Sequence, residues 1–331
     1  MSGPRRVLDL HSDTVTDGLL LGYGLAGNTA HIDLLRPPAG MGWCQTFAIY
    51  ITDHLRGQPA LDWYRRSRDF FRGQLAAYPG LIRQVTTARE VEDTLDAGQV
   101  AAILAVEGGS VLMGNPDVLE ELAADGVRFL TLTWNGVNEL ASGNQSDMGL
   151  TPVGYQALAR MEQLGIIADV SHLNDPGFWD VARAATRPFI ATHSNSRAIC
   201  SHPRNLTDDQ FRVMVEQGGL VGLNFTVGFL KEDGWMPPEL QEAYPKTAPP
   251  GWVTPRHLLD HVLHLLDLGG EDVLALGSDF DGTEVPDFLP GAEAFPVMEQ
   301  LLLDAGLGAA LTHKILYQNA RDFLRRTDAL R

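Results

Sequence analysis

Short apolar runs recur along the chain, each followed by a polar loop and then by a stretch whose apolar residues return every three or four positions. Eight such runs stand out: VLDLHSD near 7–13, FAIYI near 47–51, AAILAVEGG near 101–109, VRFLTLTW near 127–134, IIADVSH near 166–172, PFIATHS near 188–194, GLVGLNF near 219–225 and VLALGSDFDG near 273–282. Runs this short and continuous read as buried strands, and the helical stretches between them give the alternation of a parallel sheet covered by helices. The spacing predicts helices over Leu61–Tyr78, Pro152–Leu164, Thr207–Gln217 and Thr254–Leu268, each entered through Asp, Thr or Pro, where start signals belong. Eight repeats of strand then helix point to a single closed (β/α)8 barrel of the TIM type, with an open doubly wound sheet as the competing arrangement. The 331 residues suit one barrel domain spanning 1–331, because α/β barrels fill this range as one unit.

Two connections are too long for simple turns. They are the Gly- and Pro-rich stretch from Thr14 to Trp43 and the stretch from Thr226 to Trp252, with its Pro237-Pro238 and Pro249-Pro250 pairs. Both leave the C-terminal ends of strands, so they are expected to wall or cover a substrate site.

Composition narrows the function. A formal charge of −17 argues against nucleic acid or an anionic membrane surface as partner, since both recruit basic patches. A small molecule is the better expectation. The two cysteines, Cys44 and Cys200, are too few for a disulfide framework or a thiolate-rich metal site and read as structural thiols. The start, MSGPRR, lacks the pattern of a secretory signal, and no stretch approaches the ~20 apolar residues of a membrane span. A cytoplasmic location is therefore expected.

The polar residues that end these strands share one position, where an apolar run stops and a loop begins. They are His11 and Asp13 on the first run, Glu107 on the third, His172 on the fifth, His193 on the sixth, and Asp279 with Asp281 on the eighth. In a barrel such ends converge on one rim, where catalysis sits in this fold. His11 and Asp13 are two apart on a strand and leave the same face. Burying several imidazoles and carboxylates together is costly unless a cation compensates them. Nitrogen and oxygen donors without thiolate suit zinc or a similar divalent ion, and their number exceeds one tetrahedral site with an open position. Two metals sharing a carboxylate fit better, with Glu107 as the natural bridge and Gly108-Gly109 allowing close backbone approach. The three lysines, Lys231, Lys246 and Lys314, lie at no strand end, which removes a carboxylated lysine as the bridge.

Five motifs in order, DLHSD at 9–13, VEGG at 106–109, DVSH at 169–172, THSNSRAICSHPRN at 192–205 and GSDFDG at 277–282, resemble the membrane (renal) dipeptidase family of amidohydrolase-like metallopeptidases. The similarity runs over essentially the whole chain. It implies a zinc-dependent dipeptidase that cuts dipeptides, with an L or D C-terminal residue, by a hydroxide shared between two ions. It also implies His11 and Asp13 as ligands of one metal, His172 and His193 as ligands of the other, and Glu107 as the shared catalytic carboxylate. Arg204 resembles the arginine that holds the substrate's terminal carboxylate, Asp279 the acid/base, and Asp281 a supporting acceptor. Family members often pair as homodimers, an implication of the resemblance alone. One departure stands out: many members carry a histidine after the fourth strand that touches the scissile group, and this chain has Trp134 there. Indole donates one hydrogen bond but cannot become a cation near neutral pH. A related amidohydrolase acting on N-acyl amino acids, lactams or esters is the competing reading, because the same ligands serve many bonds.

Overall fold

The computed structural model describes residues 4–243 and 246–330. Its strands are β1 (Arg6–Asp9), β2 (Gly42–Tyr50), β3 (Ile82–Gln84), β4 (Val100–Glu107), β5 (Val127–Thr131), β6 (Ile167–Asp169), β7 (Ile190–Ala191), β8 (Leu220–Leu223) and β9 (Leu274–Leu276). The sheet order is β2-β1-β9-β8-β7-β6-β5-β4-β3, and β2 also pairs with β4, which closes the ring. That closure, running in register from Cys44 against Ala101 to Tyr50 against Glu107, excludes the open doubly wound sheet. Every strand pairing is parallel, and helices fill the crossovers. The architecture is a (β/α)8 barrel, as the eight apolar runs foretold.

The ninth strand, β3, is an addition to the predicted set. Its three residues pair with Val100–Ala102 on β4, along the same edge that β5 takes over from Leu104. Only Ile82 of the three is buried, so its apolar signal was too short to read.

Three of the four predicted helices form where their start signals stand. Thr151 caps Pro152–Leu164 by accepting from the Gly154 amide, and Thr207 with Gln210 makes a reciprocal capping box for Asp208–Glu216. Thr254 precedes Pro255–Asp267. The first predicted helix begins at Gln58 rather than Leu61, with Pro59 in its opening turn. Outside the β1–β2–β4 wall, Leu8, Leu10, Ile103 and Ala105 pack with Val91, Leu95, Phe323 and Leu324 of the helices Ala88–Asp96 and Asn319–Asp328. Each such Leu, Ile or Phe contributes about 1.5–3 kcal/mol through burial. Cys44 lies within this packing, and both it and Cys200 are buried free thiols. No helix among the described residues is long and apolar enough to cross a membrane.

Both long connections carry structure of their own. The first opens with the helix Thr14–Leu21, and β2 already begins at Gly42. The second contains the short helices Val227–Leu230 and Pro238–Ala243. They meet over the barrel mouth, where the Lys246 ammonium donates to Asp17 Oδ2 at 2.6 Å and His31 Nε2 lies 3.0 Å from the Lys246 carbonyl. Asp281, just past β9, joins them. It accepts from the Thr14 hydroxyl at 2.6 Å and the His31 amide at 2.7 Å, and its own amide donates to His31 Nδ1 at 2.8 Å.

Candidate active site at the barrel mouth

The chain just past each strand's C-terminal end delivers the polar residues to one cavity of about 350 Å³, lined by Asp13, Glu107, Trp134, His172, Arg204, Asp279 and Asp281 together with residues of both long connections. Glu107 sits at its centre and divides its carboxylate. Oε1 lies 2.7 Å from His172 Nε2 and 3.5 Å from His193 Nε2, while Oε2 lies 3.8 Å from His11 Nε2. His11 Nε2 is also 3.5 Å from Asp13 Oδ2. Ligand atoms of His11, Glu107 and His193 all fall within 4.8 Å of one another, as do those of His11, Asp13 and Asp279.

Backbone geometry sets these positions. His172, Asp279 and Asp281 adopt left-handed φ values of 71°, 64° and 68°, which non-glycine residues avoid unless the surroundings over-determine them. Such outliers cluster at functional sites. Phe280, fully buried between the two aspartates, packs on Phe225, Phe295 and His31 with ring centroids 5.8, 5.8 and 5.3 Å away. Gly282 leaves room for the carboxylates, because a Cβ there would displace Asp13 Oδ2 and stand 2.7 Å from Asp279 Oδ1. The Gly108-Gly109 pair does allow close approach: Gly108 takes φ 114°, and a Cβ on Gly109 would strike the Leu132 carbonyl.

The surrounding hydrogen bonds fix which imidazole nitrogens are free. His172 Nδ1 lies 3.1 Å from Asn135 Oδ1, an acceptor, so the nitrogen donates and Nε2 is left bare. His193 Nδ1 lies 2.8 Å from the Thr192 hydroxyl, which in turn donates to Asp169 Oδ2. His193 Nε2 is therefore bare too. His11 Nε2 and Asp13 Oδ1 are buried with no hydrogen-bond partner among the described residues. Lone pairs converging in a buried space are the arrangement a divalent cation satisfies, and this donor set fits one.

Electrostatics show how strongly these buried groups act on one another. Burial pushes the Glu107 carboxyl up to about 7, with Asp279 adding to the rise against His11. Burial, reinforced by Glu107, lifts Asp13 to about 7. For His11, burial favours the neutral ring but is outweighed by Glu107 and Asp13, which raise it to about 10. Burial holds His172 and His193 well below the usual imidazole value; Arg204 deepens the effect at His172, and His11 and Arg204 at His193.

Arg204 is 6% exposed and lines the cavity. One Nη donates to the His193 carbonyl at 3.3 Å, its guanidinium lies 5.5 Å from the Phe229 ring centroid, and Nε is buried without a partner. No carboxylate among the described residues lies within ion-pairing distance of it. The surface salt bridge that arginine usually signifies is therefore not its role. Asp279 has Oδ2 held by Asn224 Nδ2 at 3.0 Å and the Thr226 hydroxyl at 3.1 Å. Trp134 stands edge-on to Tyr50 at 4.9 Å, with its ring 6.4 Å from that of His172.

Of the residues singled out from sequence, Asp13, Glu107, Trp134, His172, Arg204, Asp279 and Asp281 line the cavity, and His11 and His193 are buried against Glu107. Missed were Asn135, Thr192, Asp169, Asn224 and Thr226, whose hydrogen bonds aim the others. Their signal was adjacency: Thr192 immediately precedes His193, and Asn135 follows Trp134.

A closed parallel barrel with imidazoles and carboxylates gathered at its mouth defines a metal-dependent hydrolase. The family model described as membrane dipeptidase (peptidase family M19) matches residues 5–331, and the chain belongs to that family, making it a metal-dependent dipeptidase. Among solved structures it is similar to a metallopeptidase from Rhodobacter sphaeroides liganded with a phosphinate mimic of the dipeptide L-Ala-D-Ala. That likeness has a TM-score of 0.89 and 28% identity, over 98% of this chain and 100% of the other. It is equally similar to dipeptidase AC, a metallopeptidase of family M19, with a TM-score of 0.89 and 29% identity over 98% of this chain and 99% of that one. An uncharacterised protein in the pqqA 5′ region of Klebsiella pneumoniae is 34% identical over 255 residues, 74% of this chain and 89% of the relative.

Proposed function

We propose that this chain, as one domain, hydrolyses dipeptides with two divalent ions, zinc by the character of the donors. His11 and Asp13 would hold one ion, His172 and His193 the other, and Glu107 would serve both. The observation that carries the reading is the split of the Glu107 carboxylate, one oxygen toward the His172 and His193 imidazoles and the other toward His11. When bound, such ions supply Lewis acidity toward the scissile carbonyl and lower the pKa of water from ~15.7 towards ~7.

The protein's own groups do the rest. Arg204, buried and without a carboxylate partner, takes the substrate's terminal carboxylate in its guanidinium fork. That anchor sets the length of peptide whose amide reaches Glu107 and so favours dipeptides. Asp279, with Oδ2 fixed by Asn224 and Thr226, accepts the attacking water's proton and returns it to the departing amine. Asp281 spends its oxygens on Thr14 and the backbone of the first long connection, so its part is supportive. Trp134 closes the wall beside His172 in place of a histidine. The L-Ala-D-Ala mimic held by the Rhodobacter relative supports acceptance of a D residue at the C-terminal position.

The test is a metal count per chain, with turnover of a panel of L,L- and L,D-dipeptides before and after chelation. Two ions per chain, activity lost on chelation and restored by zinc are expected. Full turnover in metal-free protein would overturn the reading.

A further inference from the structure

The reaction needs the C-terminal carboxylate at Arg204, and what surrounds that guanidinium decides which residue carries it. Phe229 lies beneath Arg204 and is 8% exposed. Trp235 stands edge-on to Phe229, with centroids 5.3 Å apart and planes at 88°, and it also lines the cavity. It is 46% exposed, unusual for so large an apolar ring. Yet the ring is held in place. His202 packs against both rings, at 4.6 Å from Phe229 and 6.0 Å from Trp235. Gly228 lies so close that a Cβ there would collide with the indole. The backbone on either side is fixed as well: the Gly234 carbonyl accepts from the Trp252 indole at 2.7 Å, and Met236 is buried.

An exposed aromatic that is rigid and faces a cavity is a ready contact surface, since ordering it on binding costs little further entropy. Arg204, Phe229 and Trp235 line the same cavity, Phe229 touching both of the others, so a substrate whose carboxylate sits on Arg204 would turn the side chain of its C-terminal residue into the space that the indole walls.

We propose that Trp235 is a specificity-determining wall for the side chain of the C-terminal residue, so that the enzyme prefers dipeptides ending in an apolar residue over those ending in glycine. The proposal rests on the reading of Arg204 as the carboxylate anchor. Contact of a few methylenes with an apolar wall gives discrimination of about 10- to 200-fold, and Trp235 supplies that selectivity largely through KM.

The experiment compares kcat/KM for Ala-Gly with that for Ala-Leu and Ala-D-Leu in the metal-loaded enzyme. The wild type is expected to favour at least one leucine peptide by about tenfold or more. Trp235→Ala should erase most of that ratio, with the excess loss in KM, and Trp235→Phe should recover much of it. Gly228→Ala, which dislodges the indole without removing it, should shift the ratio the same way. A ratio that survives Trp235→Ala overturns the proposal while leaving the Arg204 anchor standing. Equal turnover of these peptides and of analogues lacking the C-terminal carboxylate would instead overturn the anchor, and the wall with it.

Discussion

His172 and His193 bring their Nε2 atoms within 2.9 Å of one another, each bare because its other nitrogen donates elsewhere, to Asn135 and to Thr192. Two facing lone pairs repel in a dry site, and an electropositive ion drawn to both relieves the repulsion.

Thr192 is therefore expected to matter as much for ion binding as a residue that touches the ion. Thr192→Val keeps the shape but removes the hydroxyl between His193 Nδ1 and Asp169. Zinc affinity should fall by about 10- to 100-fold, the usual effect of losing such an orienting partner. Competition titration with a chromophoric chelator measures it, and an unchanged affinity would show that the ring keeps its orientation without Thr192.

Asp279→Asn should leave both ions bound while lowering kcat by roughly 10²- to 10⁴-fold, the range for general acid–base catalysis. The amide retains the Oδ position that Asn224 and Thr226 hold but cannot take up a proton. Metal analysis alongside steady-state kinetics separates the two effects; wild-type kcat would remove Asp279 from the chemistry.

Arg204→Lys should raise KM for dipeptides with a smaller change in kcat, because an ammonium cannot reproduce a two-pronged contact. The same substitution should hardly alter KM for a substrate lacking the terminal carboxylate. If both substrates respond alike, Arg204 acts as scaffold.

Removing the metals should lower Tm as well as activity. Glu107, Asp13 and His11 crowd together where burial raises both carboxyls, Asp279 adding to the rise at Glu107 and Glu107 to the rise at Asp13, and a bound cation stabilises the native chain by mass action, about 2.7 kcal/mol at 100 times its Kd. Calorimetry of chelated and zinc-restored protein checks this. Equal Tm values would mean that the ligand cluster exists without help from a cation.

Much of this was legible in the sequence. Apolar runs ending in His11, Glu107, His172, His193 and Asp279 gave both the strands and the side of the barrel on which the polar groups gather. What sequence left out depends on distance in the chain. Asn224 reaches Asp279 across 55 positions and Asn135 reaches His172 across 37, contacts that local periodicity does not encode. The strand β3 was missed for the opposite reason: it is too short to carry a pattern, existing because β4 offers an edge before β5 arrives. The left-handed φ angles at His172, Asp279 and Asp281 were invisible because these residues are not glycines.

Phe280 joins two regions that would otherwise be free to change separately. Its ring is anchored among Phe225, Phe295 and His31, and its neighbours in the chain are the carboxylates of Asp279 and Asp281. Enlarging or trimming Phe295, a helix residue outside the cavity lining, should disturb that anchor and shift both carboxylates with it. Selection for heat tolerance in this aromatic layer is therefore screened by turnover, and compensating changes should arise among those rings together rather than one at a time.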